Sequence, residues 1–148
     1  MSKIKSLSSV LLLLLLTGSA MAGDKEDIKA ANSKTLVAFN SQDYAAYFAG
    51  FVEDHTDFPY VVSPLRHDAA MWKAFVEGTS NLEYVNYHQQ DEQIQVYNGN
   101  AAVLTAYYTF TSKPKEGPAE YQTGRASVMY VKVKGQWLVA HMHFSEMF

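Results

Sequence analysis

From Asp24 to about Asn40, Ile28, Ala31, Leu36 and Phe39 recur at roughly helical spacing, and Asp24, Glu26 and Asp27 crowd the first turn, where the helix dipole favours negative charge. In "SQDYAAYFAGF", Ser41 or Asp43 can cap a second, short helix, with Tyr44, Tyr47, Phe48 and Phe51 falling at i, i+3, i+4 and i+7. Such an aromatic stripe belongs to a core, and its tyrosines can also wall a pocket. After the short extended segment "DFPYVVSP", the stretch "HDAAMWKAFVEG" predicts a third helix ending at Gly78. The texture then changes. "LEYVNYHQQDEQIQVYNGN" and "AAVLTAYYTFTS" predict a hairpin turning at Asn98-Gly99-Asn100. "SKPKEGPAE" reads as a loop, and "YQTGRASVMYVKV" with "QWLVAHMHF" predicts a last hairpin about Lys134-Gly135. Helices first and an antiparallel sheet afterwards give an α+β class.

The register of the last hairpin decides which residues share a face. A two-residue turn would pair Val133 with Gln136 and put Lys132 beside Trp137, mixing a charge into the aromatic face. A three-residue loop with Gly135 in a bulge pairs Lys132 with Gln136 and gathers Met129, Val131, Trp137 and Val139 on one face. The second register is expected. It sets Ser127 opposite His141 and Arg125 opposite His143, so the inner face runs from apolar near the turn to polar at its far end. Ala126, Val128, Tyr130, Leu138, Ala140 and Met142 then form an outer patch too apolar to leave exposed, which predicts a homodimer about a two-fold axis.

An apolar wall with a few convergent polar groups is what a ligand pocket needs. Arg125 has a fork suited to a carboxylate or enolate oxygen, His143 can move a proton near neutral pH, and His141 stands beside it. The Arg125 cation would keep the His143 imidazole neutral. Tyr108, Trp72, Tyr44, Tyr47 and Phe51 are the expected wall, and the expected ligand is a small carboxylate- or carbonyl-bearing molecule. Each polar residue also has a plain alternative: a histidine bonded to backbone, an arginine paired with a carboxylate. A His-x-His pair on a strand can supply two metal ligands, but His55, His67 and His88 are scattered with no spacing that points toward it, so neither metal nor cofactor is expected. Ser145 lies near the histidines without a Gly-x-Ser-x-Gly elbow.

The N-terminus is tripartite. Lys3 and Lys5 precede an apolar run from Val10 to Leu16, and Ala20-Met21-Ala22 offers a small-x-small site, so residues 1–22 are expected to be a signal peptide cut after Ala22, giving a periplasmic or secreted product. The run breaks at Thr17-Gly18-Ser19, short of the ~20 apolar residues a stable membrane anchor requires. With no cysteine in the chain, disulfides and thiolate metal sites are excluded and a lipid anchor is not expected. Residues 23–148 suit one domain. Loss of Lys3 and Lys5 takes the formal charge from −3 to about −5 without a basic block, which argues against a nucleic-acid partner.

The phrases "NGNAAVLTAYYTF" and "GRASVMYVKVKGQWLVAHMHFS" resemble the SnoaL-like branch of the nuclear transport factor 2-like superfamily. The pattern is especially similar to bacterial relatives of the calcium/calmodulin-dependent protein kinase II association domain. Gly135, Trp137, Val139, His141, His143 and Ser145 fill that branch's last-strand motif, and Gly124, Arg125, Ala126 and Ser127 match the start of the strand before it. The resemblance implies a cone-shaped fold, three helices closing a curved, mostly antiparallel sheet around a pocket, with dimerisation through the sheet. It leaves activity open among binding, cyclase or isomerase chemistry with His143 as acid–base and Arg125 on an enolate, and an assembly module. The enzymes of the superfamily place an Asp or Glu base, or an Asp–His pair, in the pocket. On the reading above Asp54 and Asp57 fall on a loop and Glu120 at a hairpin edge, so no such carboxylate is mapped.

Overall fold

The computed structural model describes residues 5–59 and 66–147, with side chains from Gly23 onward. The expected signal peptide and part of the segment 57–64 therefore lie outside the described side chains. Helix α1 spans Lys5–Asn40 and α2 spans Tyr44–Phe48. Asp43 caps α2, accepting from the Ala46 N–H at 3.0 Å. Two strands follow, β1 (Phe51–Phe58) and the two-residue β2 (His67–Asp68), before α3 (Ala69–Gly78), which Asp68 caps through the Met71 N–H. The remaining strands are β3 (Leu82–Tyr97), β4 (Ala101–Pro114), β5 (Glu120–Val133) and β6 (Gln136–Glu146). Phe51 thus leaves the expected helical stripe and starts a strand.

The six strands form one sheet in the order β2-β1-β6-β5-β4-β3, antiparallel except where β1 runs parallel to β6. The protein is α+β with a curved, mostly antiparallel sheet, as expected. Its inner face packs against α1, α2 and α3 around a core that includes Ile28, Tyr47, Trp72, Val76, Leu104 and Tyr130. Burial of this apolar surface is the main stabilising term. On the edge strand β3, the backbone N–H and C=O of Tyr87 are both answered by the Asn40 side-chain amide, at 2.7 and 2.9 Å, which closes part of an edge that would otherwise be open.

The last hairpin takes the register that the sequence argues against. Val133 pairs with Gln136 across a two-residue turn, Lys134 and Gly135 both at positive φ (50° and 83°), and Lys132 stands beside Trp137. The charge is accommodated: Lys132 Nζ reaches Asp24 Oδ1 of α1 at 2.6 Å and lies 5.2 Å from the centre of the Trp137 ring. A second irregularity then reverses the far end of β6. Tyr130 pairs with Val139 but Met129 with His141, leaving Ala140 as the extra residue of a bulge. Trp137 and Val139 face inward as expected. Beyond the bulge Met142 is buried and His143 exposed, and on β5 it is Ala126, Val128 and Tyr130 that are buried while Arg125 and Met129 are exposed. Most of the patch expected to be outer is therefore core.

Candidate ligand cavity

Inner-face residues align in rows across the sheet. Gln122 stands next to Phe110 and Tyr87, Gly124 next to Tyr108 and Gln89, and Ala126 between Ala106 and Phe144. Val128 follows with Leu104 and Met142, and Tyr130 with Ala102 and Val139. The middle of this floor carries Gly124, Ala106 and Ala126, residues with little or no side chain, and the helices arch over a hollow they cannot fill. A Cβ on Gly124 would overlap the carbonyl oxygen of Ser145 and stand 2.6 Å from the Tyr108 ring, so the glycine lets that ring lie flat against the backbone.

The hollow is a cavity of about 260 Å³. Leu36 and Phe39 of α1, Tyr47 of α2 and Trp72 and Phe75 of α3 form its roof, and Tyr87, Tyr108, Gln122, Val128, Met142 and Phe144 are among the sheet residues of its floor. Phe75, 36% exposed and stacked on Trp72 with ring centres 5.3 Å apart, marks its mouth. Every described residue that lines the cavity is uncharged at neutral pH. Burial pushes the phenols of Tyr47, Tyr87 and Tyr130 up, and Tyr108 to about 12, so all four are neutral hydroxyls. Polar lining groups are mostly engaged. Asn32 Nδ2 donates to Gln89 Oε1 at 2.7 Å and to Glu92 Oε1 at 3.1 Å, while Asn32 Oδ1 accepts from Tyr130 OH at 3.0 Å. Trp72 Nε1 donates to Tyr47 OH at 3.2 Å.

Of the residues singled out from sequence, Tyr108, Trp72, Tyr47 and Phe51 line the cavity. Tyr44 is one step behind the wall, its hydroxyl 2.6 Å from Thr79 Oγ1. Arg125, His141 and His143 do not line it: the bulge and the two-residue turn put them on the opposite face of the sheet. There Ser127, not Arg125, is opposite His143. His141 Nδ1 lies 2.8 Å from Thr56 Oγ1, and both imidazoles meet Phe58 edge-on with ring centres 5.6 and 5.8 Å away. Burial first, then His143, pushes the His141 imidazole below its usual range.

The sequence reading missed the titratable group that does face inward. Asp57 is on β1, paired with Met142 of the floor and two residues before Pro59, which lines the cavity. It is wholly buried, and among the described residues neither carboxyl oxygen has a hydrogen-bond partner. The buried His67 brings its Nδ1 to 3.7 Å from Asp57 Oδ2, too long for a hydrogen bond. Burial raises the Asp57 carboxyl to about 7. The signal was available: in "FVEDHTDFP", Phe51, His55, Asp57 and Pro59, all buried, share the parity of one strand face. Among the described residues, no group of three or more His, Asp or Glu side chains converges as metal ligands would. Nor is any helix there long and apolar enough to cross a membrane.

No curated protein matches the chain in sequence. Solved structures share its fold at low identity. A candidate scytalone dehydratase from Novosphingobium aromaticivorans superposes with a TM-score of 0.80 at 16% identity, over 88% of this chain and 89% of its own. A nuclear transport factor 2-like superfamily protein from Salmonella enterica gives 0.74 at 20%, over 86% and 94%. The association domain of C. elegans CaMKII gives 0.69 at 17%, over 84% and 96%. The sequence profile of the SnoaL-like domain matches residues 28–148, which takes in every strand, the arching helices and the cavity between them, and on that match the chain belongs to the SnoaL-like domain family.

Proposed function

We propose that the cavity binds a neutral, ring-bearing small molecule. The observation that carries this reading is a lining without a single charged group among the described residues. Arg125, on which a carboxylate ligand would have depended, is on the other face of the sheet. A cavity of roughly 150 Å³ suffices for benzene, so about 260 Å³ has room for a ring with substituents. A thermal-shift series of neutral ring compounds against benzoates of the same size tests it. Neutral compounds should stabilise the protein and benzoates should not, and Val128→Phe, which fills the floor, should abolish the response. Stabilisation by benzoates alone would overturn the reading.

A second reading makes the cavity catalytic, and Asp57 favours it. A buried carboxyl held near neutral pH beside a histidine is a candidate general base. Here Asp57 would take a proton from carbon next to a ligand carbonyl while the Tyr47 hydroxyl, already an acceptor from Trp72, donates to the developing oxyanion. A structural neighbour described as a candidate dehydratase is consistent with proton chemistry of this class. The check is deuterium exchange into 2-tetralone followed by NMR. Exchange that depends on Asp57 supports the enzyme, and a rate unchanged in Asp57→Asn removes it.

The reading extends to assembly and export. On the outer face the strands bring together Val103, Met129, Leu138, Tyr107 and Phe58, and among the described residues of β4, β5 and β6 that face carries Arg125 and, at its far end, Lys113, which is paired with Glu83. A second copy can cover such a face without opposing like charges, and kinship with an association domain points the same way. Export with cleavage after Ala22 would start the mature chain next to Asp24, the first of the described side chains to be anchored in the fold. Intact mass of protein from its host, beginning at Gly23 or at Met1, decides that.

A further inference from the structure

One acceptor in the cavity wall goes unanswered. Gln122, on the inner face of β5 beside Phe110, has its Oε1 sealed from solvent with no donor among the described residues. Four other polar wall groups are spent elsewhere. The amide of Asn32 is spent on Gln89 and Glu92, and Trp72 on Tyr47. Thr35 and Thr79 donate back to the carbonyls of Ala31 and Val76. A buried carbonyl oxygen without a donor is unfavourable by about 1–3 kcal/mol. Phe110, its cross-strand neighbour on β4, is apolar and cannot supply one.

We propose that Gln122 is the specificity-determining acceptor of this cavity. It takes a hydrogen bond from the hydroxyl of a ligand whose ring lies against the apolar lining at Phe110, Val128 and Phe144, so that the protein selects phenols and ring alcohols over hydrocarbons, ethers and carboxylates of equal size. This rests on the neutral-cavity reading above and adds to it the functional group. The chemistry is directional. A hydroxyl offers the hydrogen that Oε1 lacks, a hydrocarbon or ether oxygen has none to offer, and a carboxylate would set negative charge against the carbonyl lone pairs. The place in the fold is also suitable. Gln122 lines the cavity from the first row of the floor, beside Phe110, where a ligand in the cavity meets its amide.

The test is a titration of 4-ethylphenol and its isostere 4-ethyltoluene into the full-length protein and into Gln122→Met. The ratio of their affinities should shift by about tenfold against the phenol in the variant, with 4-ethyltoluene binding unchanged. In the unmodified protein, the Gln122 side-chain carbonyl carbon should move in the NMR spectrum on adding the phenol and not on adding the hydrocarbon. That measurement stands whether or not the variant folds. An unchanged ratio, or equal carbon shifts with the two probes, overturns the assignment to Gln122 while leaving the neutral cavity in place. Binding of neither probe removes the cavity reading, and this proposal with it.

Discussion

Asp57 is neutral and charged in comparable amounts near pH 7 because burial disfavours the ionised form, and this links a single side chain to the stability of the whole fold. In the unfolded chain the carboxyl titrates near its ordinary 3.8, in the folded protein near 7. Between those values the folded state holds a proton that the unfolded state has lost, so stability falls as pH rises from about 4 to 7 and levels off above. The full change is on the order of 4 kcal/mol. Asp57→Asn keeps the shape and removes the titration. Urea denaturation should show the slope in the unmodified protein and its loss in the variant, which should be the more stable of the two at pH 8. Gain of stability at pH 8 with loss of any exchange activity is the signature of a group kept for chemistry, not for folding.

At the scale of elements, most of the architecture is legible in the sequence. Asp43 and Asp68 stand before runs of helical spacing, Asn98-Gly99 and Lys134-Gly135 mark the turns, and the strands fall where Val, Tyr and Thr cluster. Faces are less legible than elements. The two-residue turn at Lys134-Gly135 looks unfavourable because it sets Lys132 beside Trp137, and the residue that makes it acceptable, Asp24, is 108 positions earlier in the chain. The bulge at Ala140 has no local marker either, since alanine suits a regular strand equally well. Those two features together carry Arg125, His141 and His143 to the outer face and Met142 to the inner. The same reasoning gives a prediction. Asp24→Ala should destabilise by about 1–2 kcal/mol, because it strands a lysine partly buried on an aromatic ring, and adding Lys132→Met should restore most of the loss. Chemical denaturation of both variants measures it. A double variant no more stable than the single one would mean that the pair does not hold the register.

For the whole molecule, the consequence of that reversal is that the sheet shows solvent a field of Met129, Tyr107 and Phe58, each about two-fifths exposed. If a second copy covers it, Met129→Lys should convert dimer to monomer at micromolar concentration without lowering the affinity of the cavity for a neutral ring, since the two faces share only backbone. Sedimentation velocity with and without the substitution tests this, and a monomeric unmodified protein would end the proposal. Val128→Lys would be no test of it, because Val128 is in the cavity floor.

The parallel contact between β1 and β6 carries a consequence of its own. Of the two neighbours of β1, β2 has only two residues, so the first strand gains its main partner from the last eleven residues of the sheet. Closing that contact spans most of the chain and is slow on entropic grounds. A growing polypeptide therefore cannot wall in Asp57 until β6 has been synthesised. If the chain is exported as proposed, a final strand that locks the first one is a built-in delay before folding.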